Sequence, residues 1–359
     1  MIKIGIIGYG YWGPNVARNF NETPGARVVA ISDVDQRVLQ RAEKLYPHVR
    51  TCTDCREILS SPEIDVVAIV TPVSSHFPLA KEALLNGKHI FIEKPFTSCV
   101  SEAEELIELA ERRGLKIMVD HTFLFTGAVR KIKELIEGDV LGDLYYFDSI
   151  RINLGLFQKD VNVVWDLAPH DLSIMDYLFN RDPSAVMATG IAHFNNGLED
   201  LAYITVYYPG NVIAHLNVNW LSPVKIRTTL IGGQKKMLVW NDLVPDEKIR
   251  VYDKGVEGLD GDSREKSYGL RVSYRSGDMW APRVDVVEAL KCEAAYFIEC
   301  INCNVNPQND GVAGLRVVRM LEAIVKSMRM GGALVPLSTP WKGIPGGTAW
   351  NSIDASLTT

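Results

Sequence analysis

Residues 4–13 read IGIIGYGYWG, an apolar run followed at once by a G-x-G-x-x-G turn. A helical pattern over 13–21 comes next, so the turn joins a strand to a helix. In a dinucleotide-binding turn the first glycine allows a tight bend, the second lets the backbone approach a pyrophosphate, and the third permits close helix packing. The phosphates then face the helix N-terminus. The cofactor-binding residues predicted here are Gly8, Gly10, Tyr11, Trp12 and Gly13.

The end of the second predicted strand, residues 27–32, indicates which dinucleotide is bound. Asp33 follows this strand about twenty residues past the last glycine, where a carboxylate accepts hydrogen bonds from the adenosine ribose and repels a 2′-phosphate. Asp33 therefore predicts NAD. Arg37, one helical turn further on, keeps NADP open as the alternative.

The composition, 47% hydrophobic and 23% charged over 359 residues, is that of a globular protein with space for two domains. No apolar run approaches the roughly eighteen residues that indicate a membrane span. The first strand leaves no room for a signal peptide, so a cytoplasmic protein is expected. A net charge of -6 without a dense Lys/Arg stripe argues against nucleic-acid binding.

Two C-x-x-C pairs, Cys52/Cys55 and Cys300/Cys303, raise the question of a zinc site. The pairs are far apart in sequence, and neither has the glycine-rich knuckle of a zinc ribbon. Cys300 and Cys303 also lie on a helical pattern among apolar neighbours. We interpret the cysteines as small hydrophobic residues and expect no metal.

The order of the elements predicts an α/β fold with two halves. Strands and helices alternate over the first 120 residues, which indicates βαβ units and a doubly wound parallel sheet of the Rossmann type. After residue 123, period-two strand patterns with hairpin signals predict an α+β domain with a large, mostly antiparallel open sheet. The predicted domains are 1–122 for NAD binding, 123–336 for substrate binding and oligomerisation, and 337–359 as a C-terminal tail held by its own surface or by a neighbouring subunit.

Two further motifs carry chemistry. Glu93-Lys94-Pro95 ends the apolar strand 89–92, and a D-x-x-x-H motif spans Asp166 to His170 at a helix start. The glycine turn, Thr71-Pro72 with His76, E-K-P and D-x-x-x-H occur in one order and spacing. In this the chain resembles the glucose–fructose oxidoreductase / inositol dehydrogenase / rhizopine-catabolism (Gfo/Idh/MocA) family over roughly residues 1–336.

This resemblance implies an NAD-dependent dehydrogenase with assigned residues. It implies that Lys94 contacts the substrate hydroxyl and the nicotinamide ribose, and that His170 is the general acid/base with Asp166 as its partner. In relatives the Lys94–Pro95 bond is cis. The cofactor-binding set is extended to Thr71, Pro72, His76, Glu93 and Lys94, with packing at a helix start as the alternative for His76.

The chemistry of alcohol oxidation supports these roles independently. A hydroxyl proton must leave while a hydride goes to the nicotinamide, and imidazole is a suitable base near neutral pH. A nearby ammonium stabilises the developing alkoxide. Asp166 and His170 share a helix face, so the carboxylate is expected to orient the ring and to favour imidazolium. The alternatives are that Asp166 is a helix N-cap, that His170 is a packed interdomain residue and that Lys94 is solvated.

The substrate is predicted from the segment 153–165, whose amides, glycine and aromatic residues suit a sugar. Residues 165–172, WDLAPHDL, resemble the branch that acts at the 3-position of nucleotide-linked sugars such as UDP-N-acetylglucosamine-type sugars or their uronic acids. A diphosphate needs cationic partners, for which Arg151, Lys159, Arg271 and Arg275 are candidates. Relatives often carry an arginine in the joint where this chain reads HTFLF, residues 121–125. The predicted substrate residues are Arg151, Asn153, Lys159, Asn162 and Trp165.

Two other functions stay open at this point. One is a free-sugar or inositol dehydrogenase, which needs no diphosphate pocket. The other is a non-catalytic protein of the same fold that senses NAD or a sugar, against which the complete set of Lys94, Asp166 and His170 argues. By analogy with proteins of this architecture, a homodimer or homotetramer is expected.

Overall fold

The computed structural model describes residues 1–155, 157–158, 160–194, 197–257 and 273–337. The predictions for Lys159, Arg271 and the tail beyond Leu337 fall outside these residues. Among the helices described, none has the length and apolar character needed to cross a membrane.

The first half forms a six-stranded parallel sheet, as predicted. The strands in chain order are β1 Ile2–Ile7, β2 Ala26–Ser32, β3 Arg50–Cys52, β4 Val66–Ile69, β5 His89–Glu93 and β6 Ile117–Asp120. Their order in space is β3-β2-β1-β4-β5-β6. Strands β2 and β3 are added on one side of β1 and strands β4 to β6 on the other, so the order of strands reverses between β1 and β4. Ligands bind at the carboxyl ends of strands beside such a switch point. The three-residue β3 was missed in the sequence because it is too short for a periodic pattern.

Helices cover both faces of this sheet, which explains why all four residues of β4 are buried. Phe20 of the first helix packs edge to face on Phe91 of β5, with ring centroids 5.2 Å apart. The helices of this half are α1 Gly13–Glu22, α2 Gln36–Leu45, α3 Arg56–Leu59, α4 His76–Leu85 and α5 Val100–Arg113, and α6 Gly127–Glu137 begins the second half.

The second half is built on a nine-stranded sheet that is antiparallel except where β7 and β10 pair in parallel. Its order is β14-β13-β12-β11-β7-β10-β9-β8-β15. The predicted open sheet is confirmed, and the region left unassigned in the sequence contributes the strand Ser273–Trp280. The strands are β7 Leu144–Leu154, β8 Ala185–Ile191, β9 Leu201–Tyr208, β10 Val212–Asn219, β11 Leu221–Gly233, β12 Met237–Asn241, β13 Ile249–Glu257, β14 Ser273–Trp280 and β15 Val335–Pro336.

Three helices complete the second half: α7 Val163–Phe179, α8 Ala289–Cys303 and α9 Gly311–Arg329. The last two return to the first half. Ion pairs mark both contacts, since Glu288 before α8 binds Arg18 of α1 at 2.6 Å and Arg319 of α9 binds Glu104 of α5 at 2.7 Å. The two halves are therefore joined through their helices, and the ends of β5 and β6 lie beside residues from far along the chain.

Candidate active site

Glycine is required at the three positions of the turn for different physical reasons. Gly8 has φ +94°, and a Cβ there would lie 2.3 Å from the carbonyl oxygen of Val70. A Cβ on Gly13 would lie 2.6 Å from the Gly8 oxygen. Gly10 is exposed, and a Cβ on it would meet nothing within 4 Å. The outer two glycines are needed by the chain's own packing, while Gly10 leaves open space where a pyrophosphate can approach the backbone.

Asp33 lies beside this turn in the position predicted for the ribose reader. Its Oδ2 accepts the backbone N–H of Tyr9 at 2.6 Å, and its Oδ1 accepts that of Asp35 at 2.9 Å. These bonds fix the carboxylate and leave it half-buried. The guanidinium of Arg37 binds Asp35 at 2.8 Å, so it is directed away from Asp33 and does not support the NADP alternative.

His76 lies beneath the cofactor cleft rather than in it. Its side chain is fully buried, and its ring nitrogens lie 2.8 Å from the carbonyl oxygen of Thr71 and 2.9 Å from that of Pro95. Burial lowers the pKa of His76, so the neutral ring donates to one of these carbonyls at a time. The structure therefore corrects the predicted contact with cofactor: His76 ties the segment after β4 to the segment after β5.

Lys94 leaves the end of β5 through a cis bond to Pro95 and points at the first turn of α7. Its Nζ donates to the Asp166 carbonyl oxygen at 3.0 Å and lies 3.4 Å from Asp166 Oδ1. The other carboxylate oxygen of Asp166 accepts the indole N–H of Trp220 at 3.0 Å. The carboxylate of Asp166 thus positions Lys94, and the predicted partnership with His170 is replaced by contacts to Lys94 and Trp220.

His170 is half-buried and packs against the ring of Phe123 at a centroid distance of 5.0 Å. Burial, followed by the positive charges of Lys94 and Arg151, holds the pKa of His170 well below its usual range. The expectation that the site favours imidazolium is therefore wrong. The neutral ring has the free lone pair that a general base needs, while burial and the nearby cations make it a weaker base than free imidazole.

Helix α7 begins at Val163, before the D-x-x-x-H motif at which a helix start was predicted, because Asn162 is its N-cap and accepts the backbone N–H of Trp165 at 3.1 Å. Asp166 is therefore not the cap. The side-chain nitrogen of Asn162 donates to Glu199 at 2.8 Å, so this predicted substrate residue holds the scaffold. Trp165 is half-buried and packs against two hydrophobic clusters, one of which contains residues of both halves.

Arg151 of β7 is 5% exposed and forms two hydrogen bonds to Asp171, at 2.8 and 3.0 Å. Its guanidinium also lies 4.6 Å from the ring centroid of Phe123. The structure places Arg151 in a buried ion pair with one guanidinium nitrogen unbonded within the described part of the chain. Asn153 is half-buried two positions further along β7, on the same face. Arg275 lies on the distant strand β14 and binds Asp253 at 2.8 Å.

An aromatic wall, which we define as Phe157, Phe194 and Trp220, adjoins Asp166. Phe157 lies 5.3 Å from Trp220 and 6.3 Å from Phe194 between ring centroids. Phe194 is 73% exposed. Sequence reasoning missed Trp220 and Phe123 because 54 residues separate Trp220 from Asp166 and neither lies in a recognisable motif.

Within the described ranges, no group of three His, Cys, Asp or Glu side chains is arranged to hold a metal ion.

Two family models match the chain. Residues 2–121 match the oxidoreductase family with an NAD-binding Rossmann fold, GFO/IDH/MocA, and residues 129–239 match the C-terminal domain of that family. The chain is 30% identical over 267 residues to the uncharacterized oxidoreductase YdgJ of Escherichia coli, covering 69% of this chain and 73% of that protein. It is 26% identical over 329 residues to UDP-N-acetylglucosamine 3-dehydrogenase of Acidithiobacillus ferrooxidans, covering 88% and 94%.

Solved structures show the same fold over most of the chain. The structure of that Acidithiobacillus dehydrogenase superposes with a TM-score of 0.75 at 24% identity, covering 92% of this chain and 98% of the other. A levoglucosan dehydrogenase in complex with NADH superposes with a TM-score of 0.77 at 20% identity, covering 94% and 99%.

Proposed function

Because the chain belongs to the GFO/IDH/MocA family of NAD-binding oxidoreductases, we propose that it transfers a hydride between NAD and the C3 alcohol of a nucleotide-linked sugar. The observation that carries the proposal is the contact of Lys94 with Asp166 beside a neutral His170. Bound NAD supplies the hydride acceptor. Gly10 and Asp33 are the residues with space and acceptors for its pyrophosphate and ribose.

The chain's own residues then handle the proton. His170 accepts the hydroxyl proton of the sugar, since burial and nearby cations keep its ring neutral. The ammonium of Lys94 stabilises the oxygen as negative charge develops on it. Asp166 fixes the position of that ammonium, and Trp220 in turn fixes Asp166. In the direction of ketone reduction the same groups act in reverse.

A nucleotide sugar is favoured by two observations. The similarity to UDP-N-acetylglucosamine 3-dehydrogenase extends over 88% of the chain, including both halves. The aromatic wall adjoins Asp166 through the buried ring of Trp220, and its exposed member Phe194 offers a flat apolar ring that can pack on a sugar or on a base.

A free sugar is the second candidate, and a specific observation favours it. Arg151, the buried arginine expected to bind a diphosphate, is already paired with Asp171. The NAD- or sugar-sensing alternative is disfavoured by the complete set of Lys94, Asp166 and His170.

The deciding experiment measures NADH formation at 340 nm with UDP-N-acetylglucosamine, its uronic acid, N-acetylglucosamine 1-phosphate, free sugars and inositol. Turnover confined to the UDP-linked compounds supports the proposal. Turnover only with unlinked sugars or inositol overturns the substrate class. NAD binding without turnover of any alcohol overturns the enzyme itself.

We also infer that the chain self-associates in the cytoplasm through the open face of the nine-stranded sheet. Apolar side chains on neighbouring strands are exposed there, among them Met187 at 37%, Tyr203 at 44% and Ile213 at 42%. Exposed apolar patches on one sheet face favour burial against a second copy. Light scattering of the purified chain tests this, and a monomer at micromolar concentration would contradict it.

A further inference from the structure

Three carboxyl groups meet behind Lys94: Glu93 at the end of β5, Asp120 at the end of β6, and Glu293 of α8. Asp120 is 1% exposed and Glu293 fully buried, while Glu93 is half-buried beside the cleft. Glu93 and Asp120 are register partners on adjacent parallel strands. The Asp120 carboxyl lies within hydrogen-bonding range of the carboxyls of both Glu93 and Glu293. We call this group the carboxyl cluster.

The hydrogen bonds assign the protons in the cluster. Asp120 Oδ2 accepts the indole N–H of Trp12 at 2.8 Å, and its Oδ1 accepts the hydroxyl of Thr122. Two carboxyls in contact repel each other when both are ionised, unless a proton between them or a nearby cation offsets the repulsion. A carboxylate offers about four lone-pair sites. An ionised Asp120 fills them with Trp12, Thr122 and the acid protons of Glu93 and Glu293.

The second glutamate agrees with this assignment. Asn309 donates to Oε1 of Glu293 at 2.8 Å. Its Oε2 is buried with no other donor within the described chain, and it is the oxygen that can carry a proton. Such a buried oxygen is costly when ionised and unpaired but not when it donates to Asp120.

Burial and neighbouring charges shift the pKa values of the groups in and around the cluster. Burial and the neighbouring Asp120 raise the pKa of Glu93 and Glu293 well above the usual range, and Lys94 opposes this at Glu93. His121, next to Asp120, is 2% exposed, and burial lowers its pKa to about 4, so its ring is neutral near pH 7. The positive charge of Arg316 of α9 also lowers the pKa of His121.

We propose that Glu93 releases its proton when oxidised NAD binds and keeps it when reduced NAD binds. Two members of the hydrogen-bonded group belong to cofactor-binding segments, since Trp12 is in the glycine turn and Glu93 precedes Lys94. The oxidised nicotinamide carries a positive charge that the reduced ring lacks, and a nearby cation favours a carboxylate over its acid. The O–H bond of Glu93 breaks, the proton passes through the cleft to solvent, and the new negative charge faces the cation.

Calorimetric titration of the cofactor-free chain with NAD+ and with NADH, each in phosphate and in Tris, measures the protons released per cofactor bound. We expect up to about one more proton released with NAD+ than with NADH. The affinity for NAD+ then rises with pH by up to about tenfold per unit where the release occurs, while that for NADH does not. Equal proton counts, or a ratio of the two dissociation constants that is flat from pH 5 to pH 9, would overturn the proposal.

Paired variants locate the proton. Glu93→Gln keeps an N–H to donate to Asp120 but has no acid proton, so the difference between the two cofactors is lost. Glu293→Gln makes the same change in the same cluster and retains it. Asp310→Asn removes a separate buried carboxyl whose pKa burial raises to about 7, and it also retains the difference. Retention in Glu93→Gln, or loss in Asp310→Asn, contradicts the assignment, and if Glu93→Gln binds no cofactor the wild-type pH series decides.

Discussion

Glu93 and Lys94 are neighbours in sequence, yet they leave β5 toward different surroundings. Lys94 reaches into the cleft, where it contacts Asp166 beside the aromatic wall. Glu93 reaches the carboxyl cluster, where burial and Asp120 favour its neutral form. The comparison shows that two adjacent residues of opposite charge, Glu93 and Lys94, take different partners instead of pairing with each other. The ammonium of Lys94 pairs with Asp166 of α7 rather than with Glu93.

Replacing the side chains that face the cleft should have the largest effect on activity. Lys94→Ala and His170→Ala should each lower kcat on the order of a hundredfold or more, because one removes the charge that stabilises the alkoxide and the other the base. Steady-state kinetics with the substrate found above measures this, and circular dichroism checks the fold. Near-wild-type kcat in either variant removes that residue from the catalytic set.

Next to the carboxyl cluster, His121→Leu tests how a buried histidine affects the pH dependence of stability. The ring nitrogens of His121 have no partner within the described chain. The pKa of His121 is about 4 when folded, so the unfolded chain binds the extra proton as pH falls below about 6.5. Wild-type stability is therefore lost between these values, by about 3 kcal/mol from this residue.

Urea unfolding of wild type and His121→Leu at pH 7 and pH 4.5 measures this difference. The variant should lose less stability on acidification than the wild type. An identical loss in both proteins shows that His121 does not titrate between the two states.

A smaller effect is expected from Trp220→Phe, which keeps an aromatic ring in the wall but removes the N–H that holds Asp166. Losing one hydrogen bond to a carboxylate should lower kcat about tenfold through a less well positioned Lys94. Trp240→Phe is the matched control, since the indole N–H of Trp240 is buried and has no partner among the residues that the structure describes. Equal kcat in the two variants argues against positioning through Asp166.

The smallest effect is expected at Asn162, where variants distinguish a structural role from substrate binding. Asn162→Ala should lower the free energy of unfolding by about 1 kcal/mol because the N-cap of α7 is lost, and Asn162→Ser should restore most of it. Denaturant midpoints and KM are measured together. A large rise in KM with unchanged stability in both variants would mean that Asn162 binds substrate after all.

Much of the fold was predictable because its signals are local. The glycine turn, the apolar strands and the alternating elements gave the parallel sheet, and period-two patterns gave the antiparallel one. The errors were local as well: β3 is too short to show a period, and the start of α7 depended on a cap that Asp166 could equally have provided.

By itself, the sequence determined the fold class, the NAD-binding Rossmann half and the residue types of E-K-P and D-x-x-x-H. Only the tertiary structure decided what each charged group does: Asp166 holds Lys94 rather than His170, His76 lies under the cleft, and Arg151 is paired with Asp171. The physical reason is that a carboxyl or imidazole takes its charge state from burial and from neighbours within a few ångströms. Here those neighbours, Trp220 and Glu293 among them, come from distant parts of the chain.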